Sequence, residues 1–351
     1  MESSNPVDPI VDHLVRLVRI PSPTGHAEEA IRFLKGKLSP YEGRISLSQP
    51  AKGGLLVTLK GENHQIHRFL TAHVDTLGAM VKEIKSNGRI QLTNIGGFTW
   101  HSVEGNYCTV QTRSKGKVTG TILATHTSVH VYEDAKKQER KQENMEVRLD
   151  AKVHNADEVR ELGIEVGDFV SFDPRVEVTE SGFIKGRHMD DKASAAILLE
   201  LIIQVVEQGL RLPHTTHFYF STYEEVGFGA NSNIPDRVRE YLAVDMGAIG
   251  EGQATDEFCV SICAKDSSGP YHYGLRKKLT ELAEAEGIYH RVDIYPYYGS
   301  DASAAVRAGH DLIHGLIGPG VDASHAFERT HREALENTYR LLYRYIQTTS
   351  L

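Results

Sequence analysis

An α/β fold is predicted: a mixed sheet covered by helices on both faces, with an inserted all-β domain. Three features of the 351-residue sequence point to it. β-rich runs alternate with amphipathic helical runs near both ends of the chain, the rhythm of a sheet layered between helices. From about residue 77 to 183 that rhythm gives way to short alternating segments broken by Gly, Asn and Lys-Gly turns, which reads as a small barrel or sandwich. The α/β rhythm then returns at Asp190. Residues 1–76 and 184–351 are therefore expected to form one domain and 77–183 an insertion, an arrangement tolerated where chain ends lie close together.

The elements follow in order. Asp8 caps the first helix, with Pro9 at its first position, and the second helix covers about 27–38, after the break at Pro23-Thr24-Gly25. The strands GLLVTLK and HRFLTAH come next, the second ending in the polar cluster His73-Val74-Asp75. Inside the insert RIQLTNI, YCTVQTR and KVTGTILATH read as strands, and residues 132–146, with AKKQERKQEN at their centre, as a solvated helix or a mobile loop. A long helix over 190–207 is followed by the strands HFYFST and YLAVD, a helix over about 270–286 and the strand HRVDIYP. A short helix near 302–308, the strand DLIHGLIG and a final helix over about 327–346 complete the chain.

Composition narrows the function. A net charge of −8 argues against a nucleic-acid binder held by a basic surface. The longest apolar stretches are interrupted well short of the roughly 20 residues needed to cross a bilayer, so no membrane partner is expected. The opening residues lack the basic n-region and unbroken apolar core of an export signal. Cys108, Cys259 and Cys263 have neither disulfide-framework nor thiolate-zinc spacing, which fits a reducing cytoplasm.

Candidate chemistry lies where His, Asp and Glu fall. His73 and Asp75 close one strand, Glu224 and Glu225 follow another, Asp245 closes a third, and His325 follows the strand DLIHGLIG in a loop. All would lie at carboxyl ends of strands, the edge where open α/β sheets bind ligands. Asp190 and Asp191 open the long helix and can face the same crevice. Each has an ordinary explanation alone: a strand-end turn, a solvated loop, a helix cap. Together, two imidazoles and several carboxylates without Cys suit zinc, cobalt or manganese. Two ions are expected, because ligands Asp190, Glu225 and Asp245 bring about −3 against +4, which leaves room for a hydroxide nucleophile. Glu224 can take the proton from the water and pass it to a leaving amine.

The runs TAHVDTLGAMVKEI, GGFTW, VGDFVSFDP, KGRHMDDKASAAILLE, STYEEVGFGA, AVDMG, PYYGSDASAA and SHAFERTH resemble, in order and spacing, the glutamyl-aminopeptidase and tetrahedral-aminopeptidase family of co-catalytic metallopeptidases. The resemblance implies a zinc-exopeptidase-like sheet. It makes His73 and Asp245 ligands of one metal, Glu225 and His325 ligands of the other, Asp190 the bridging carboxylate, Asp75 the group that orients His73, and Glu224 the general base. It also implies that the insert mediates assembly, from a dimer up to a tetrahedral dodecamer. Thr76, Lys192 and the pair Phe228-Gly229 depart from the family's usual residues and mark a divergent branch.

The expected activity is a metal-dependent aminopeptidase acting on short peptides. The competing enzyme class is a deacylase or amidase using the same dinuclear site on a small N-acyl or peptide-like amide. A non-catalytic protein keeping only the fold is disfavoured, since all five ligands and Glu224 are present.

Overall fold

The computed structural model describes residues 6–349. Its main element is a ten-stranded mixed sheet. Four strands form the parallel centre, in the spatial order His214–Ser221, Asn63–His73, Val238–Val244 and Ile313–Val321. On one flank Leu55–Leu59 and Ser46–Ser48 add antiparallel; on the other, Val260–Asp266 pairs antiparallel with Ile313–Val321 and carries His290–Ile294 parallel on its far side.

Alternation along the central strands sends side chains to two separate cores. Leu70, Phe218, Phe220, Leu242 and Val244 pack with the helices Val7–Val18, Glu28–Leu38, Met189–Glu207, Tyr273–Ala285 and Arg332–Tyr345. Phe69, Tyr219, Tyr241 and Ala243 pack on the other face against Ala302 and Ala305 of the helix Asp301–Arg307. Both faces are thus covered, and near-continuous burial along His214–Ser221 is what a doubly covered strand requires. Arg68, fully buried, ties the end of the last helix to the sheet: Nε donates to Glu240 at 2.8 Å, and Nη1 donates to the carbonyls of Tyr345 and Thr348 at 3.1 and 2.9 Å.

Six antiparallel strands between Gly78 and Phe172 close into a barrel with its own core, which includes Val81, Leu92, Val110, Ile122, Val147 and Val170. One short helix, Ala156–Glu161, interrupts it, capped by the Asn155 side chain. Beyond the barrel, Glu177–Val178 and Phe183–Gly186 form a three-stranded sheet with Glu328–His331.

Several local expectations change. The first helix starts at Val7 with Pro6 before it, and Asp8 lies in the first turn instead of capping it. The last helix starts at Arg332 because Glu328–His331 is a strand, and the His331 side chain accepts from the Glu333 N–H in place of an ordinary cap. The charged stretch is a run of turns with one 3-10 turn at Gln142–Asn144, pinned where Arg140 donates to Glu104 at 2.9 and 3.1 Å. A further strand, Val260–Asp266, lies between YLAVD and the helix Tyr273–Ala285, outside the elements read from the sequence.

Candidate metal centre

Parallel pairing of the four central strands puts their carboxyl ends on one edge. His73 is the last residue of its strand, Asp75 lies two beyond it, Asp245 follows Val244 directly, Glu224 lies three past Ser221, and His325 four past Val321. Asp190 reaches this edge because the helix Met189–Glu207 does not start regularly: Asp190 has φ −76° and ψ 105°. Gly318 permits the closest approach, since a Cβ there would lie 1.3 Å from the Asp245 carbonyl oxygen.

The seven residues named from the sequence converge on this edge. Asp190 is central: its Oδ1 lies 3.2 Å from His73 Nε2 and its Oδ2 3.3 Å from His325 Nε2. Ligand atoms of His73, Asp190 and Asp245 lie within 4.8 Å of one another, while Glu225 Oε2 is 3.6 Å from His325 Nε2. Glu224 Oε2 is 3.6 Å from His73 Nε2. Both imidazoles are backed by backbone carbonyls on the opposite nitrogen, His73 Nδ1 by Asp75 O at 2.9 Å and His325 Nδ1 by Gly97 O at 2.5 Å. That network assigns Nδ1 as the donor and turns Nε2 inward, the arrangement in which histidines hold metals.

The Asp75 carboxylate does a second job. Its oxygens accept from Thr24 Oγ1 at 2.7 Å and from the Glu224 and Glu225 N–H groups at 3.2 and 3.3 Å, so it anchors the turn that presents both glutamates. Its Oδ1 stands 3.6 Å from His73 Nδ1, farther than its own carbonyl oxygen.

Crowded acids make the site a cation trap. Burial, reinforced by the Asp190 charge, pushes Asp245 up to about 7 and Glu225 up to about 8. Burial also raises Glu224 well above the usual carboxylate range, and the His73 charge only partly offsets this. For Asp190 burial works the same way, but hydrogen bonds from His325 and His73 outweigh it and hold the carboxyl far below its ordinary value. Burial should depress both histidines, yet Asp190 and the neighbouring acids win, raising His73 well above its ordinary value and His325 to about 10. Among the described residues lining the adjoining cleft, the one Lys or Arg is Arg307, which donates to Ser268. Two imidazoles and borderline-hard oxygen donors arranged around a shared carboxylate fit divalent first-row ions.

Sequence reasoning missed the layer behind these groups. Buried Glu328 accepts from the Met189, Asp190 and His325 N–H groups, and buried Asp301 accepts from Ser221 Oγ at 2.6 Å and the Ala230 N–H at 2.7 Å. Asp191, named from the sequence beside Asp190, joins this layer by accepting from the His73 N–H at 3.1 Å. Asp301, a carboxylate inside the small-residue run GSDASAA, was the available signal, because it must find donors once buried; Glu328, followed by Arg329, Thr330 and His331, carried no such mark. The cleft beside the cluster has a volume of about 460 Å³, with Met246, Ala248 and Ala304 on its wall and Tyr297, 98% exposed, at its mouth.

Comparison with known proteins places the chain in a family. The sequence pattern of the M42 glutamyl aminopeptidase family matches residues 53–341. YhfE of Bacillus subtilis (strain 168), named provisionally as an aminopeptidase, is 61% identical over 332 residues, covering 95% of each chain. The glutamyl aminopeptidase of Lactococcus lactis subsp. cremoris (strain MG1363) is 25% identical over 177 residues, 50% of this chain and 49% of its own. In fold, the chain is similar to the TET aminopeptidase of Thaumarchaeota archaeon SCGC AB-539-E09, with TM-score 0.88 and 21% identity over 97% of this chain and 98% of that one. It is also similar to the TET1 peptidase of Pyrococcus horikoshii, which can assemble into a tetrahedron or a large octahedral shell, with TM-score 0.84 and 24% identity over 96% and 99%. With the family pattern spanning most of its length, the chain belongs to the M42 glutamyl aminopeptidase family and is a metal-dependent aminopeptidase.

Proposed function

We propose that two divalent ions, zinc or else cobalt or manganese, occupy this edge, with His73, Asp245 and Asp190 holding one and Asp190, Glu225 and His325 the other. The observation that carries this reading is that each Asp190 oxygen faces a different histidine, at 3.2 and 3.3 Å. Bound there, such ions supply water acidity at neutral pH and positive charge for the scissile carbonyl oxygen, a chemistry for which aminopeptidases are a standard example. Glu224 lines the cleft and takes the proton from the attacking water before returning it to the leaving amine. Burial raises its proton affinity well above that of an ordinary carboxylate, the direction a proton-accepting group requires. Asp75 fixes the turn on which Glu224 rides.

The substrate is a short peptide with a free N-terminal amine, and the acidic edge favours that cationic end. The barrel contributes no ligand side chain, and we assign it to contact between copies in a homo-oligomer, in keeping with the assembling relative of similar fold. Three buried, unpaired cysteines fit work in a reducing cytoplasm. The test is Asp190→Asn: a bridging carboxylate predicts loss of both ions together, measured as metal per chain. Retention of one ion at wild-type affinity would remove the bridging role.

A further inference from the structure

Glu328 opens the strand Glu328–His331 and is 2% exposed. A carboxylate this deep is costly unless its oxygens are satisfied. Its hydrogen bonds go to the backbone of the two segments that carry proposed ligands. Oε2 accepts from the Met189 N–H at 2.7 Å and the Asp190 N–H at 3.2 Å, and Oε1 accepts from the His325 N–H at 3.1 Å.

Those segments need holding. His188 and His325 have φ of 72° and 65°, left-handed conformations that cost a non-glycine residue about 1 kcal/mol or more and persist where the surroundings over-determine them. The strand containing Glu328 pairs antiparallel with Phe183–Gly186, which leads directly into the irregular helix start, and Gly186 stands opposite Glu328. Arg187 Nη1 adds a bond to the Ala326 carbonyl at 3.1 Å. Only the Glu328 side chain, among the described contacts, grips the backbone of both Asp190 and His325.

We propose that Glu328 is a positioning residue that sets the placement of Asp190 against His325, and through them the spacing of the two ions. This rests on the metal-centre reading above. Glutamine is the discriminating substitution, because the shape survives but its amide group turns N–H donors toward at least one backbone N–H, whichever way it is rotated. Aspartate keeps the charge but is one methylene too short to reach both segments.

The full-length wild type, Glu328→Gln, Glu328→Asp and Thr330→Val chains are loaded with zinc, exposed to graded chelator and assayed for metal per chain; cobalt-loaded samples give absorption spectra. The wild type should hold two ions. Glu328→Gln should weaken binding by about ten- to hundredfold, the range typical of groups that orient metal ligands, and alter the cobalt spectrum; Glu328→Asp should fall between. Thr330, on the same strand as Glu328, loses with Thr330→Val a buried hydroxyl bond to the Gly320 carbonyl of the neighbouring strand Ile313–Val321, so this variant reports stability alone and should leave both readouts unchanged. Wild-type affinity and spectrum in both Glu328 variants would overturn the proposal, and so would equal weakening by Thr330→Val. A wild-type chain that binds no metal would instead remove the underlying metal-centre reading.

Discussion

Replacing Gly318 with alanine tests how the sheet builds its ligand edge. The new Cβ would sit 1.3 Å from the Asp245 carbonyl oxygen and 2.4 Å from its carbonyl carbon. Restoring ordinary van der Waals separation requires the two strands to part by about 2 Å. The atoms in the way are backbone, so no rotamer change relieves the clash. Parting the strands breaks the bond from the Asp245 N–H to the Ile317 carbonyl, now 2.9 Å, worth about 1 kcal/mol. Overpacking adds about 1–3 kcal/mol, so a loss of roughly 2–4 kcal/mol is expected. The same movement carries the Asp245 carboxylate away from His73 and Asp190, so metal content should fall along with the thermal midpoint. Gly250→Ala, where a Cβ meets nothing within 4 Å, is the control and should change stability by less than about 0.5 kcal/mol. Denaturant unfolding read beside metal analysis checks both effects. Gly318→Ala with control-like stability and full metal content would refute this account of how Asp245 is placed.

Glu224→Gln should retain its metal and lose turnover by on the order of a hundredfold or more, since the amide keeps the shape but cannot accept a proton; loss of metal as well would exchange its role with that of Glu225. Arg68→Met removes one of two cations beside buried Glu240, which keeps Lys278 Nζ at 3.4 Å and the Tyr345 hydroxyl at 2.9 Å, so equilibrium unfolding should show a loss of about 1.5–3 kcal/mol, the scale of a lost hydrogen bond to a charged group. His217, bonded to His67 at 2.9 Å, is pushed down to about 4 by burial and by the His67 charge. The unfolded chain therefore binds that proton first, and stability present above about pH 6.5 should decline by up to about 3 kcal/mol as pH falls toward 4; a His217→Gln chain should show a shallower decline, measured by unfolding across that range.

What the sequence revealed follows from the range of the interactions involved. Strand ends are marked locally, because an apolar run such as YLAV followed by Asp245 announces both a buried strand and a carboxylate at its edge. Four such ends became a site once parallel pairing was inferred, and the imidazoles and carboxylates named on that basis meet within a few ångströms. Long-range pairing left no local mark. Glu328–His331 looks like the first turn of the helix behind it, and becomes a strand only through Phe183–Gly186, far away in the chain. The roles of Thr24, Gly97 and Glu328 likewise exist only as contacts between distant segments. Asp8 sat ahead of an apolar helical run like a cap, but the helix had already begun at Val7.

The central claim is that two ions bridged by Asp190 are needed for cleavage. Its most direct test is to strip the chain with chelator, confirm the removal, and titrate zinc back while following release of amine from a peptide with a free N-terminus. Activity should be absent at the start and reach its plateau only as the second equivalent per chain is bound. Full hydrolysis by the stripped chain, or a plateau at one equivalent, would contradict it.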